Sequence, residues 1–262
     1  MVAHVMGRPY VAFLVSTSSY YEGRLSLRWI TQCCLRSPRC LGVLTRDAFT
    51  AEDLQARGMK KALFAGYPIM DILTPTGQDL GLSKALPILA VLPGSRLPEA
   101  LKNLSLQLKV CEEVAKIQPM QFCIALVPQI QELDLKNMAI KNDWQYEGKG
   151  VFIKNVNHNL VTIRGYWGAF PDILHQCNIV LGMAGTAIEQ AVGLGKPVVQ
   201  IPGLGPQFTY AFAEAQMRLL CVSVVTVGKS PQDPNLFRDA ANTIIKNLNN
   251  ANYLQKCQKN IK

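Results

Sequence analysis

The sequence predicts an α/β protein built on parallel sheets, in two parts. Three observations carry this. Short apolar runs alternate with amphipathic stretches along the chain. The runs of the second part are almost continuously apolar, as in strands covered on both faces. Between the parts, Thr74-Pro75-Thr76-Gly77-Gln78 is rich in turn formers and poor in apolar residues, which places a boundary near 72–85. The expected domains are residues 1–75 and 76–262.

In the first part, Tyr10–Ser16 reads as a strand. Tyr20–Arg36 reads as a helix, because Leu25, Trp29, Ile30 and Cys33 recur at helical spacing. Cys40–Leu44 is a strand, Thr50–Arg57 a helix capped by Thr50 and stopped by Gly58, and Lys61–Gly66 a strand. In the second part the predicted strands are Ile88–Leu92, Phe122–Val127, Val161–Tyr166, Ile179–Gly182, Val198–Ile201 and Val222–Val227. The predicted helices are Pro98–Lys116, Gln131–Lys141, Phe170–Gln176, Thr186–Leu194, Phe208–Leu219 and Asn235–Leu248. Crossovers between parallel strands are right-handed.

The composition narrows the function classes. With 262 residues, 49% hydrophobic and 17% charged, the chain can bury a sizeable core and is not of disordered composition. The net charge of +9 is spread along the sequence, not gathered in the stripe or arm of a nucleic-acid binder. A phosphate-bearing substrate or an anionic membrane surface fits that charge. Eight cysteines and three histidines include no Cys-x-x-Cys pair, so no zinc site is expected. Cysteines set in apolar runs read as buried reduced thiols of a cytosol-like compartment. No run is long and apolar enough to span a membrane, and Met1-Val2-Ala3-His4 lacks the charged start and apolar centre of a signal peptide.

Three loops carry the candidate chemistry. Strand Ile88–Leu92 runs into Pro93-Gly94-Ser95-Arg96 and a helix. Gly94 lets a phosphate approach the backbone, Ser95 offers a hydroxyl, and Arg96 suits bidentate contact with phosphate oxygens. The same residues also suit an ordinary strand–helix turn with an exposed arginine. Strand Ile179–Gly182 runs into Met183-Ala184-Gly185-Thr186, with Gly185 opening a helix, Thr186 capping it or touching phosphate, and Glu189 placed to accept bonds from a ribose diol. The alternative is a ligand-free capping box, Thr186-x-x-Glu189. The third loop is Pro202-Gly203-Leu204-Gly205-Pro206-Gln207, where Gln207 is positioned to read a sugar hydroxyl or amide. Glu214 and Gln216 are expected in solvent, Trp167 and Phe170 in the core, with base stacking the alternative for Trp167. Two anion-ready loops on one sheet edge, one followed by a carboxylate, favour a nucleotide with a diphosphate.

These motifs resemble a known family. Leu92-Pro93-Gly94-Ser95-Arg96, followed by Glu99-Ala100 and Asn103, resembles the start of the donor-binding domain of lipid-A-disaccharide synthases. Gly182-Met183-Ala184-Gly185-Thr186-Ala187 through Glu189 resembles that family's second donor loop. Gly203 and Pro206-Gln207-Phe208-Thr209 more closely resemble the lipid-A-disaccharide synthase-related group of cyanobacteria and plants. Upstream, Gly7-Arg8-Pro9-Tyr10 and Gly66-Tyr67-Pro68-Ile69-Met70-Asp71 resemble the second half of the acceptor domain and the exit from it. The resemblance covers about residues 7–220.

It implies a GT-B-like α/β fold, with one complete Rossmann-like C-terminal domain and a partial N-terminal one. It also implies a UDP-sugar donor, a lipid-linked sugar acceptor, work at the cytoplasmic membrane face, and no metal or other cofactor. On this resemblance Gly94, Ser95, Arg96, Gly185 and Thr186 meet the diphosphate and Glu189 holds the ribose. The transfer is an inverting one, with Arg96 and the helix N-termini stabilising the leaving diphosphate and a base elsewhere taking the acceptor proton. No residue here matches the family's catalytic acid; His4 lies nearest in sequence to where it is expected. A short first domain implies a truncated chain. UDP-N-acetylglucosamine epimerisation and non-catalytic UDP-sugar binding are the alternatives.

Overall fold

The computed structural model describes residues 1–14, 18–19, 25–205 and 208–259. They form two compact units, Met1–Asp71 and Ile72–Ile261.

The first unit contains α1 (Val2–Val5), β1 (Tyr10–Leu14), α2 (Trp29–Arg36), β2 (Cys40–Thr45), α3 (Ala48–Ala56) and β3 (Ala62–Leu63). Its strands form a parallel sheet in the order β1-β2-β3. Val43, Cys40 and Ala62 bury one face against Leu35, Leu54 and Met59, while Val11, Leu41 and Leu63 stay exposed. The predicted strand end at Val15–Ser16 and the helix start at Tyr20–Arg24 lie outside the described residues. Leu25 precedes α2 and is buried outside any helix, so the helical periodicity read through it is corrected. Asp47, not Thr50, caps α3. Its Oδ1 accepts from the Thr50 amide at 2.7 Å, while the Thr50 hydroxyl accepts from the Ser19 amide. Two cap-competent residues stand three apart, and the earlier one takes the role.

The second unit holds β4 (Ile88–Leu92), α4 (Glu99–Ile117), β5 (Gln121–Leu126), α5 (Glu132–Lys141), β6 (Gln145–Gly148), β7 (Val151–Val156) and β8 (Asn159–Trp167). It continues with α6 (Phe170–Gln176), β9 (Ile179–Gly182), α7 (Thr186–Gly193), β10 (Val198–Gln200), α8 (Tyr210–Leu220), β11 (Val224–Thr226), α9 (Leu236–Leu248) and α10 (Ala251–Lys259). The eight strands run in the order β11-β10-β9-β4-β5-β8-β7-β6. Every pair is parallel except β6 with β7 and β7 with β8. Strands β4 and β9 are buried along their full length, as continuous apolar runs predict. Helix α9 packs on α4, while α6 lies against β4 and β5 and α7 against β9 and β10.

Strands β6 and β7 and helix α10 were not predicted from the sequence. The hairpin they extend is built by turn chemistry. Asn157 and His158 both take positive φ between β7 and β8, and Gly148-Lys149-Gly150 does so between β6 and β7. A Cβ on Gly150 would strike the main chain of Gly165, so that strand pair closes only with glycine there. Among the described residues, no helix is long and apolar enough to cross a membrane. Six of the eight cysteines are buried and unbonded; Cys33 is exposed and Cys221 half-buried, departing from a uniformly buried set.

The turn-rich segment at the start of this unit is held by Asp172 on α6. The Asp172 carboxylate accepts from the Thr76 hydroxyl at 2.8 Å and the Gly77 amide at 2.9 Å. Burial by itself raises this carboxyl's pKa, but the bonds from Thr76 and Gly77 outweigh it and hold the pKa below the ordinary carboxylate value. Because the folded pKa is depressed, this stabilisation is complete above the unfolded value of about 3.9 and is lost as pH falls through the folded one. Asp172→Asn is expected to lower stability at pH 7 by roughly 1–2 kcal/mol. In urea unfolding, the gap to the parent chain should close as pH falls below about 4; a gap unchanged down to low pH would contradict this role.

Candidate functional site

Neighbouring strands β4 and β9 send the chain in opposite directions across the sheet. From β4 it passes through α4 to β5, and from β9 through α7 to β10. Right-handed crossovers therefore put α4 and α7 on opposite faces. A crevice opens between the carboxyl ends of the two strands. A cleft of about 630 Å³ lies there, within the usual range for small-ligand sites. It is lined by Pro93–Arg96, the first turns of α4, the end of β5, Met183–Ala187, and Phe208 and Phe212.

Two buried carboxamides one turn apart on α4 fix the floor. Gln107 is fully buried, and its Nε2 donates to the carbonyls of Leu92 and Leu181, both at 3.1 Å. Asn103 is 4% exposed, and its Nδ2 donates to the carbonyl of Pro93 at 2.9 Å and of Met183 at 3.3 Å. Each amide thus joins the end of β4 to the end of β9. The Met183 amide closes the same junction by donating to the Leu92 carbonyl at 2.8 Å. The two loops are pinned side by side.

Gly94 is required twice over. Its φ is +101°, and a Cβ would sit 3.2 Å from the Met183 carbonyl oxygen of the opposite loop. Ser95 and Arg96 are exposed and line the cleft. Helix α4 begins five residues beyond Gly94, at Glu99, with Pro98 at the cap position, so the glycine does not open the helix directly. Gly182 ends β9 without a side chain because a Cβ would lie 2.8 Å from Ile188 Cγ1 of α7.

Gly185 is the N-cap of α7 and Thr186 its first helical residue. The predicted cap by Thr186 is corrected: its side chain makes no capping bond, and the Thr186-x-x-Glu189 box is not formed. Helix geometry instead leaves the amides of Thr186 and Ala187 without intrahelical carbonyls, and both residues line the cleft. The Gly185 carbonyl accepts from Nε2 of Gln216, which is 4% exposed. Gln216 is therefore a buried support of the loop, not the solvated residue expected, whereas Glu214 is part-exposed and paired with Arg218.

Gly94, Ser95, Arg96, Gly185 and Thr186 thus share one cleft. Glu189 lies on α7, half-buried, just outside the lining, and its buried neighbour Gln190 takes a place in the wall. Gln207 and Pro206 lie outside the described residues. Phe170 is half-buried and lines the cleft, correcting its expected core position. Trp167 donates through Nε1 to the Ile130 carbonyl at 2.9 Å and is not in the lining. Glu99, Asn103, Gln107, Gln190 and Phe212 were given no role from sequence. The signal for the first three was polar residues recurring every fourth position along one face of α4.

No known protein-family profile matches the chain. A curated lipid-A-disaccharide synthase from Myxococcus xanthus (strain DK1622) is 24% identical over 218 residues, covering 83% of this chain and 52% of the relative. The chain thus spans about half the length of the curated relative it matches. Among solved structures, the UDP-GlcNAc 2-epimerase from Neisseria meningitidis bound to UDP-GlcNAc superposes with a TM-score of 0.56 at 16% identity, covering 99% of this chain and 67% of that one. The spinosyn forosaminyltransferase gives a TM-score of 0.51 at 10% identity, covering 99% and 68%. Likeness of this degree establishes the fold: the chain is an α/β protein of the GT-B type, shared by glycosyltransferases and nucleotide-sugar epimerases.

The pinning of the loops yields a stability prediction. Asn103→Ala leaves the buried Pro93 carbonyl without its donor and is expected to cost about 1–3 kcal/mol. Urea unfolding should show a lower midpoint at unchanged slope; a loss within about 0.5 kcal/mol would remove Asn103 from this role.

Proposed function

We propose that the second unit binds the nucleotide-sugar donor of a lipid-A-disaccharide-synthase-like hexosaminyltransferase. One observation carries the reading. The two glycine loops predicted to meet a diphosphate line a single cleft at the strand-order reversal of a parallel sheet, the place where such folds take nucleotides. Arg96 would grip the diphosphate oxygens, and the first amides of α7 would add fixed positive dipoles. These are the groups needed where charge grows on a leaving UDP. Glu189, one turn into α7, would hold the ribose. The curated relative supports the transferase class; the lipid-linked sugar acceptor, the contact with an anionic membrane surface and the cytoplasmic location are part of this proposal and follow from the motif resemblance alone. The base that takes the acceptor proton is assigned to no residue.

The likeness to the epimerase bound to UDP-GlcNAc supports a second reading with the same donor pocket and different chemistry. The chain, incubated with UDP-GlcNAc and a lipid-linked sugar phosphate, separates them. Free UDP with a glycosylated lipid supports transfer, the 2-epimer of the donor supports epimerisation, and binding with neither product supports a binding module.

Calorimetry with UDP tests the site itself. Arg96→Ala is expected to weaken UDP binding by about 10- to 100-fold, since it removes a charge-assisted contact. Glu189→Ala should weaken it as well, with both variants melting as the parent chain does. Loss of folding in both, with affinity untouched in whatever stays folded, would make these residues structural and end the donor-site reading.

A further inference from the structure

Glu99, Asn103 and Gln107 recur at every fourth position of α4, which sets them on one face of the helix. They grade from the mouth of the cleft to its floor: Glu99 is half-buried, Asn103 is 4% exposed and Gln107 is fully buried. The two amides are committed through their nitrogens to main-chain carbonyls. That fixes the direction of the Asn103 Oδ1, which is buried and has no hydrogen-bond partner. Glu99 also lines the cleft, and among the described residues no hydrogen bond or ion pair engages its carboxylate.

The loop after β10 is glycine where it crosses these acceptors. A Cβ on Gly203 would lie 2.8 Å from Asn103 Oδ1, and a Cβ on Gly205 would collide with Glu99 Cγ. Missing side chains thus let this loop pack closely against Asn103 and the Glu99 side chain.

We propose that Glu99 is a specificity residue that reads the sugar of a nucleoside diphosphate sugar, with the Asn103 Oδ1 as a second acceptor. The proposal rests on the donor-site reading above. A diphosphate offers only negative acceptor oxygens, so a carboxylate and a fixed amide oxygen repel it. Hydroxyl and amide N–H donors satisfy both, and a hexosamine ring carries several. Arg96, three residues before Glu99, supplies the opposite charge for the phosphates. The cleft thereby holds separate complements for the two ends of one ligand.

Calorimetry with UDP and with UDP-GlcNAc tests this. In the parent chain, UDP must bind; if it does not, the donor-site reading itself fails. Glu99→Gln is expected to weaken UDP-GlcNAc about tenfold or more while moving UDP by less than about threefold. Gly205→Ala displaces the Glu99 side chain without removing its charge and should split the two ligands in the same direction, which keeps the test open should Glu99→Gln not fold. Arg96→Ala should weaken both ligands together. Equal losses for UDP and UDP-GlcNAc in Glu99→Gln, or no loss for either, would overturn the proposal and leave Glu99 as a first-turn acid that only complements the helix dipole.

Discussion

The contact on which the site depends is the pair of carboxamides that Asn103 and Gln107 extend from α4 into the ends of β4 and β9. Where parallel strands end, their last carbonyls lose ladder partners, and in a buried setting each unpaired carbonyl carries a desolvation cost. Four such carbonyls, of Leu92, Pro93, Leu181 and Met183, are satisfied here by two side chains of one helix. The same bonds set the spacing of the two loops. A hydrophobic floor would remove these bonds and leave the junction to the main-chain bond from the Met183 amide to the Leu92 carbonyl.

The rest of the cleft follows from that junction. With the loops held together, a Cβ on Gly94 would crowd the Met183 carbonyl, and the φ of +101° there favours glycine. Gln216 extends the same logic from α8 by holding the cap carbonyl of α7. Buried amides thus fix the walls, while the exposed and half-exposed residues Ser95, Arg96, Thr186 and Glu99 line the cleft. For the proposed donor site this division is preorganisation: the groups assigned to the ligand do not also have to hold the fold.

The central strands were legible because burial on both faces demands an unbroken apolar run. Ile88–Leu92 and Ile179–Gly182 carry that run and coincide with β4 and β9. The meeting of the two glycine loops was legible for the same reason, since parallel strands deliver successive turns to one edge. The polar supports were less so. Asn103, Gln107 and Gln216 sit at helical spacing, and a polar residue on a helix reads as solvated unless the carbonyl it bonds is known. Strands β6 and β7 were missed because their sequences are mixed in polarity and their turns rely on positive φ at Lys149, Asn157 and His158. The cap at Asp47 was misassigned because Thr50 offers the same chemistry three residues later.

Hydrogen–deuterium exchange of the chain with and without UDP-GlcNAc tests the central claim most directly, because it reports both loops in one measurement. If one cleft grips the diphosphate between them, the amides of 93–96 and of 185–187 slow together at the same ligand concentration. Slowing confined to one loop, or protection that appears elsewhere with both loops unchanged, would show that the β4–β9 crevice is not where the nucleotide sugar binds.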